Sequence, residues 1–190
     1  MSGPVDTPES WEVVSSADLF RDDWVMALRA DVVRRGGHDF TRLVFEHPGA
    51  AVVLAVDDQE RAAVITQYRH PGQRRFVELP AGLLDVPGED PLLTAQRELQ
   101  EEVGLQADHW EHLISTYASP GIMTERHFVY LATGLNPIHR GDFVAEHEEA
   151  ELEMHWVPVV DLVEGVLNGR LTNGGLVVAV LAYAARQSKR

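Results

Sequence analysis

Between Gly82 and Leu105 the chain reads GLLDVPGEDPLLTAQRELQEEVGL, a stretch that dictates much of what can be built around it. Its second half carries both ends of a helix. Asp90 is a residue type that caps helix N-termini, Pro91 suits the first helical position, and Gly104 suits the stop. Between them Leu92, Ala95, Leu99 and Val103 recur at steps of three and four, so one face of the helix must lie on a core. Another flank carries Glu98, Glu101 and Glu102 at i, i+3 and i+4, stacked over about one turn. Like charges at that spacing destabilise a helix by roughly 0.2–0.5 kcal/mol per pair. A helix that keeps them points to a cation among them, and an all-oxygen cluster suits a hard divalent ion, Mg²⁺ above all. The bland alternative is a solvated, charged helix face.

Around this helix the chain alternates mostly between strand-like runs. Two lie between Trp11 and Arg34, joined at Asp22-Asp23, and Gly36-Gly37 then marks a turn. Thr41–Glu46, Ala50–Val56 and Ala62–Tyr68 follow, and a short strand, Phe76–Leu79, delivers Pro80-Ala81-Gly82. After the helix come strand-like runs at Trp110–Ala118 and Arg126–Thr133, a polar loop from Asn136 to Glu148, and a last strand, Leu152–Val157. Helices are expected at Val160–Leu167 and Leu176–Arg186. Strands flanking a central helix, with helices returning at the end, imply an α+β or α/β sandwich with a mixed sheet.

Charge and composition narrow the partners. The formal net charge of −14 opposes a nucleic-acid-binding role. An acidic chain must receive a polyanionic substrate through local basic residues or bound metal. The chain has no cysteine, which excludes disulfides and thiolate metal sites. It has no apolar run long enough to span a bilayer and no signal-peptide pattern near its start, which fits the cytoplasm.

Counted from Glu89, the residues run E-x7-R-E-L-x-E-E-x-G-L through Arg97, Glu98, Leu99, Glu101, Glu102, Gly104 and Leu105. This resembles the Nudix box of hydrolases that cleave a nucleoside diphosphate linked to another group. The usual box has five residues between its first Gly and that Glu, whereas here the six residues Leu83–Gly88 separate Gly82 from Glu89. Gln67-Tyr68-Arg69-His70-Pro71 and Glu78-Leu79-Pro80-Ala81-Gly82 extend the resemblance to the ADP-ribose pyrophosphatase branch, over roughly Glu12 to Ala185. The resemblance implies a Nudix α/β/α sandwich at 41–190. It also implies an N-terminal β-hairpin region at 1–40 that serves as a dimerisation arm in a homodimer.

The resemblance further implies Mg²⁺-dependent hydrolysis of ADP-ribose to AMP and ribose 5-phosphate, with Mn²⁺ as a substitute ion. It makes Glu98, Glu102 and the Ala81 carbonyl metal ligands, has Glu101 bind metal through water, and has Arg97 orient Glu98 or Glu101. The loop sequence His147-Glu148-Glu149-Ala150-Glu151 matches one in which the family keeps a catalytic or metal-binding glutamate. Glu149 is the favoured base, Glu148 and Glu151 are its fallbacks, and Glu102 is the second choice. Arg69, at a strand end, can reach a phosphate bidentately or instead form a salt bridge with Glu78. Ser119-Pro120-Gly121 with Thr124-Glu125 resembles a loop that contacts the diphosphate and the terminal ribose. Trp24 is a candidate to stack on an adenine ring, and Phe76 is expected in the core. The rival readings are a Nudix hydrolase for a sugar nucleotide, a dinucleotide polyphosphate or a damaged nucleoside triphosphate, and a non-catalytic nucleotide-sensing module. Such a module would be expected to lose the glutamates retained here.

Overall fold

The computed structural model describes residues 3–23, 25–141 and 151–189. They divide into two compact units, one within Met1–Pro48 and Ser119–Glu125, the other within Gly49–Ala118 and Arg126–Arg190.

The first unit is an antiparallel sheet of β1 (Glu12–Arg21), β2 (Ala27–Arg35) and β3 (His38–Glu46), in that order. The turn at Gly36-Gly37 has positive φ at both glycines, as a tight two-residue connection requires. Its edge strand β1 is exposed along its whole length, including Val13, Val14, Leu19 and Phe20. Ser16 and Asp31 face each other across β1 and β2, with the Ser16 hydroxyl donating to the Asp31 carboxylate at 2.6 Å. Segment 119–125 lies against the end of β3: Phe45 N–H donates to the Ile122 carbonyl at 2.7 Å, and His47 N–H to the Thr124 hydroxyl at 2.8 Å.

The second unit is layered around β4 (Ala50–Ala55), whose six residues are all buried. AAVVLA is a continuous apolar run because both of its faces are covered. β4 sits in the order β7-β4-β9-β8, with β7 at Ala81–Leu83, β8 at Leu105–Tyr117 and β9 at Arg126–Pro137. It is parallel to β9 and antiparallel to β7, so the sheet is mixed. A second sheet has the order β10-β5-β6, from β5 (Arg61–Arg69), β6 (Arg74–Glu78) and β10 (Glu153–Pro158). On one face Ala51, Val53 and Ala63 pack with Ala95 and Leu99 of α1 (Pro91–Val103). On the other, Val52, Leu54 and Val64 pack with Leu162 of α2 (Val159–Leu167) and with Leu176 and Val180 of α3 (Gly174–Gln187). This is the expected helix–sheet–helix arrangement. β7 follows Pro80 as a further short strand, and β8 begins directly after the helix at Leu105, five residues before the expected run at Trp110.

Candidate active site

The ends of α1 are fixed by the residues that mark them in sequence. Asp90 accepts a hydrogen bond from Leu92 N–H at 2.9 Å, Pro91 opens the helix, and Gly104 closes it at φ +66 with its N–H on the Gln100 carbonyl. That fixed span sets which residues of the helix meet β7.

Two glutamates one turn apart converge on the Ala81-Gly82 dipeptide of β7. Glu102 is only 6% exposed, and its carboxylate accepts the Ala81 N–H at 2.9 Å. Glu98 lies against Gly82 so closely that a Cβ at position 82 would overlap its carboxylate. Gly82 is therefore required for space, not for φ. Val53 N–H donates to the Pro80 carbonyl at 2.8 Å. Because an antiparallel ladder alternates, the main-chain groups of Ala81 turn away from β4 toward the sheet's open side, where Glu102 takes the N–H.

Arg97 holds the acidic cluster together. Its guanidinium lies 2.7 Å from Glu98, 3.6 Å from Glu101, 3.7 Å from Glu89 and 4.0 Å from Asp85. Burial alone would weaken its charge, but Glu98, Glu101, Glu89 and Asp85 outweigh that and raise its pKa above the ordinary value. Glu89 also accepts from the Thr94 hydroxyl at 2.6 Å. The additional residue between Gly82 and Glu89 thus leaves Glu89 within the cluster. Among the described residues no three acidic or histidine side chains form a ready-made metal cage. The oxygen donors that do converge are the carboxylates of Glu98 and Glu102, beside the outward-turned main chain of Ala81. This hard, all-oxygen set fits a Mg²⁺-like ion and not a soft one.

On β5 and β6, Arg69 forks onto Glu78, with contacts of 3.2 and 2.8 Å, and Glu78 is 5% exposed. Of the two roles open to Arg69 in sequence, the ion pair with Glu78 is formed. Gln67 is two residues before Arg69 on the same strand face. It is 2% exposed, and its Oε1 has no hydrogen-bond partner among the described residues. The sequence assigned no role to Gln67 or Asp85. The available signal for Gln67 was one amide closing the mostly apolar run AAVITQ.

Gly121 and Glu125 belong to the first unit. Gly121 is exposed, and the Glu125 carboxylate is 3.8 Å from the His47 ring. Glu151 is exposed and pairs with Arg75 at 2.6 Å. Trp24, Glu148 and Glu149 lie outside the described residues.

Residues 46–175 match the family model described as NUDIX domain. The chain belongs to the Nudix family. This Nudix chain is 47% identical over 176 residues to a Mycobacterium tuberculosis protein named ADP-ribose pyrophosphatase, covering 92% of this chain and 84% of that one. It is 38% identical over 141 residues to the methanol dehydrogenase activator of Bacillus methanolicus, covering 74% and 76%. A solved structure titled as an ADP compounds hydrolase superposes with a TM-score of 0.78 over 97% of this chain and 98% of that one. At 18% identity it supports the Nudix fold alone.

Proposed function

We propose that this Nudix hydrolase cleaves the diphosphate of ADP-ribose to give AMP and ribose 5-phosphate, with Mg²⁺ as the activating ion. The observation that carries the reading is the 47% identity to an ADP-ribose pyrophosphatase over 92% of the chain. The intact pairing of Glu98 and Glu102 with Gly82 and Ala81 supports it.

A diphosphate resists attack because its oxygens are anionic and repel a nucleophile. Glu98, Glu102 and the Ala81 carbonyl, with Glu101 nearby, would hold a divalent ion, which when bound would supply positive charge there and lower the pKa of water. The chain's own part is to keep those ligands in place. The Ala81 N–H anchors one Glu102 oxygen, while Arg97 and the missing Cβ of Gly82 set Glu98. A carboxylate must take the proton of the attacking water, and Glu149 is assigned that role on its position in sequence, with Glu102 second. Arg69, Glu78, Gly121, Glu125 and Trp24 are assigned to substrate binding on the same sequence grounds. The protein works as a homodimer through its N-terminal β-region, in the cytoplasm. Among the described residues no helix is long and apolar enough to cross a membrane.

The test is product analysis with Mg²⁺ on ADP-ribose beside sugar nucleotides and dinucleotide polyphosphates. AMP and ribose 5-phosphate formed fastest from ADP-ribose support the reading. Faster cleavage of a sugar nucleotide replaces the substrate, and no turnover of any member of the panel favours a sensing module.

A further inference from the structure

The substrate carries two phosphates into a chain of net charge −14, so the cations that receive them matter. The obvious ones are already committed: Arg69 to Glu78, and Arg97 to its ring of carboxylates. Arg126, the first residue of β9, is different. It is exposed, and among the described residues no carboxylate stands within ion-pairing distance of it. Its guanidinium lies 4.6 Å from the centre of the Phe128 ring and 5.9 Å from that of Tyr117. Tyr117 is its cross-strand partner and is itself 60% exposed. A guanidinium held over aromatic rings is ordered while its N–H donors stay open, a geometry that matches phosphate oxygens bidentately.

Its position follows from the sheet register. Gly82 pairs with Ala51 on β4, and Ala51 with Phe128 on β9. Phe128 is thus two strands, about 10 Å, from the glycine against which Glu98 rests. Phe128 packs in the same cluster as Ala95 and Leu99 of α1, and Arg126 lies two residues before it on that face. Arg126 is thus an exposed cation on the helix-bearing face, with no acidic partner among the described residues.

Resting on the pyrophosphatase reading, we infer that Arg126 receives a phosphate group of the nucleoside diphosphate substrate and retains it in one of the two monophosphate products. Phe128 and Tyr117 act as the shelf that holds its guanidinium.

Binding of AMP and of ribose 5-phosphate to the whole protein, measured by calorimetry in Mg²⁺, tests this without depending on turnover. Arg126→Ala weakens one of the two by roughly ten- to a hundredfold, the range for a lost charge-assisted hydrogen bond. The product affected identifies which side of the diphosphate Arg126 holds. Arg126→Lys falls between, since it keeps charge but not the planar fork. Arg170→Ala, which removes one exposed charge elsewhere in the same unit, changes neither. In turnover of ADP-ribose, Arg126→Ala raises KM by a similar factor with kcat within about twofold, the signature of lost uniform binding. Unchanged binding of both products by a folded Arg126→Ala protein overturns the inference, as does an equal loss in Arg170→Ala. Failure of wild type to cleave ADP-ribose instead overturns the substrate reading and leaves the binding comparison to decide on Arg126.

Discussion

Gly82 is where the smallest change has the largest expected consequence. Its φ is not in the left-handed region, so alanine suits the backbone, yet the new methyl would occupy the space of the Glu98 carboxylate. Gly82→Ala must therefore push Glu98 off its place while leaving strand β7 paired. A displacement of about 1 Å in a catalytic group can cost about 10²-fold in rate. The expected outcome is a fall in kcat of that order, partly recovered at high Mg²⁺, with little change in the melting temperature. A steady-state titration against Mg²⁺ beside a thermal melt checks it, and full activity at low Mg²⁺ would remove Glu98 from the ligand set. Glu102→Gln asks the same of the second glutamate. The amide oxygen can still accept the Ala81 N–H, so the fold is kept while the anionic ligand is lost. Turnover should drop by more than about 100-fold without loss of thermal stability.

At the scale of elements, legibility followed how local the determinant is. The ends of α1 were readable because a cap involves residues a few places apart, and Asp90, Pro91 and Gly104 stand where expected. Its stripe was readable for the same reason, with Ala95 and Leu99 buried and Leu92 and Val103 beside them in the cluster. β7 was not, since three residues pairing with β4 depend on a partner thirty residues away in the chain. The site divides likewise. The carboxylate row on α1 was legible from spacing, whereas the commitment of Arg69 to Glu78 and the lack of a partner for the Gln67 Oε1 among the described residues depend on what a fold brings across strands. Asp90→Ala tests the local part: losing an N-cap costs about 1 kcal/mol, which lowers the melting temperature by about 2–4 °C in a chain of this size. The N-terminal sheet offers a pH test. The Ser16 hydroxyl, with Arg29 beside it, holds the Asp31 carboxyl below its ordinary value of 3.8. A depressed carboxyl stabilises the fold above the unfolded value and loses that contribution as pH falls through the folded one. Wild type should therefore melt above Asp31→Asn at pH 7, and the gap should close below about pH 3.8.

For the whole molecule, the question with most at stake is what covers β1. Among the described residues β1 has a strand on one side only, and it is exposed throughout, with Leu19 at 59% and Phe20 at 64% exposure, so an open backbone edge and apolar side chains occur together. Natural proteins usually blunt such an edge or cover it. In the proposed homodimer a second copy of the same chain would cover it. Two copies, each carrying a net charge of −14, repel one another at long range, while the apolar contact acts only at short range. Salt screens the repulsion, with a Debye length of about 30 Å at 0.01 M and about 8 Å at 0.15 M. Added salt should therefore tighten the dimer, the opposite of its effect on an association held by ion pairs. Sedimentation equilibrium across that range checks the direction. The double substitution Leu19→Glu, Phe20→Glu should give a folded monomer at concentrations where wild type is dimeric. The melting temperature of wild type should rise with protein concentration, and that of the double variant should not. A wild-type protein that sediments as a monomer at both salt concentrations would remove the dimer and leave the exposed strand without this explanation.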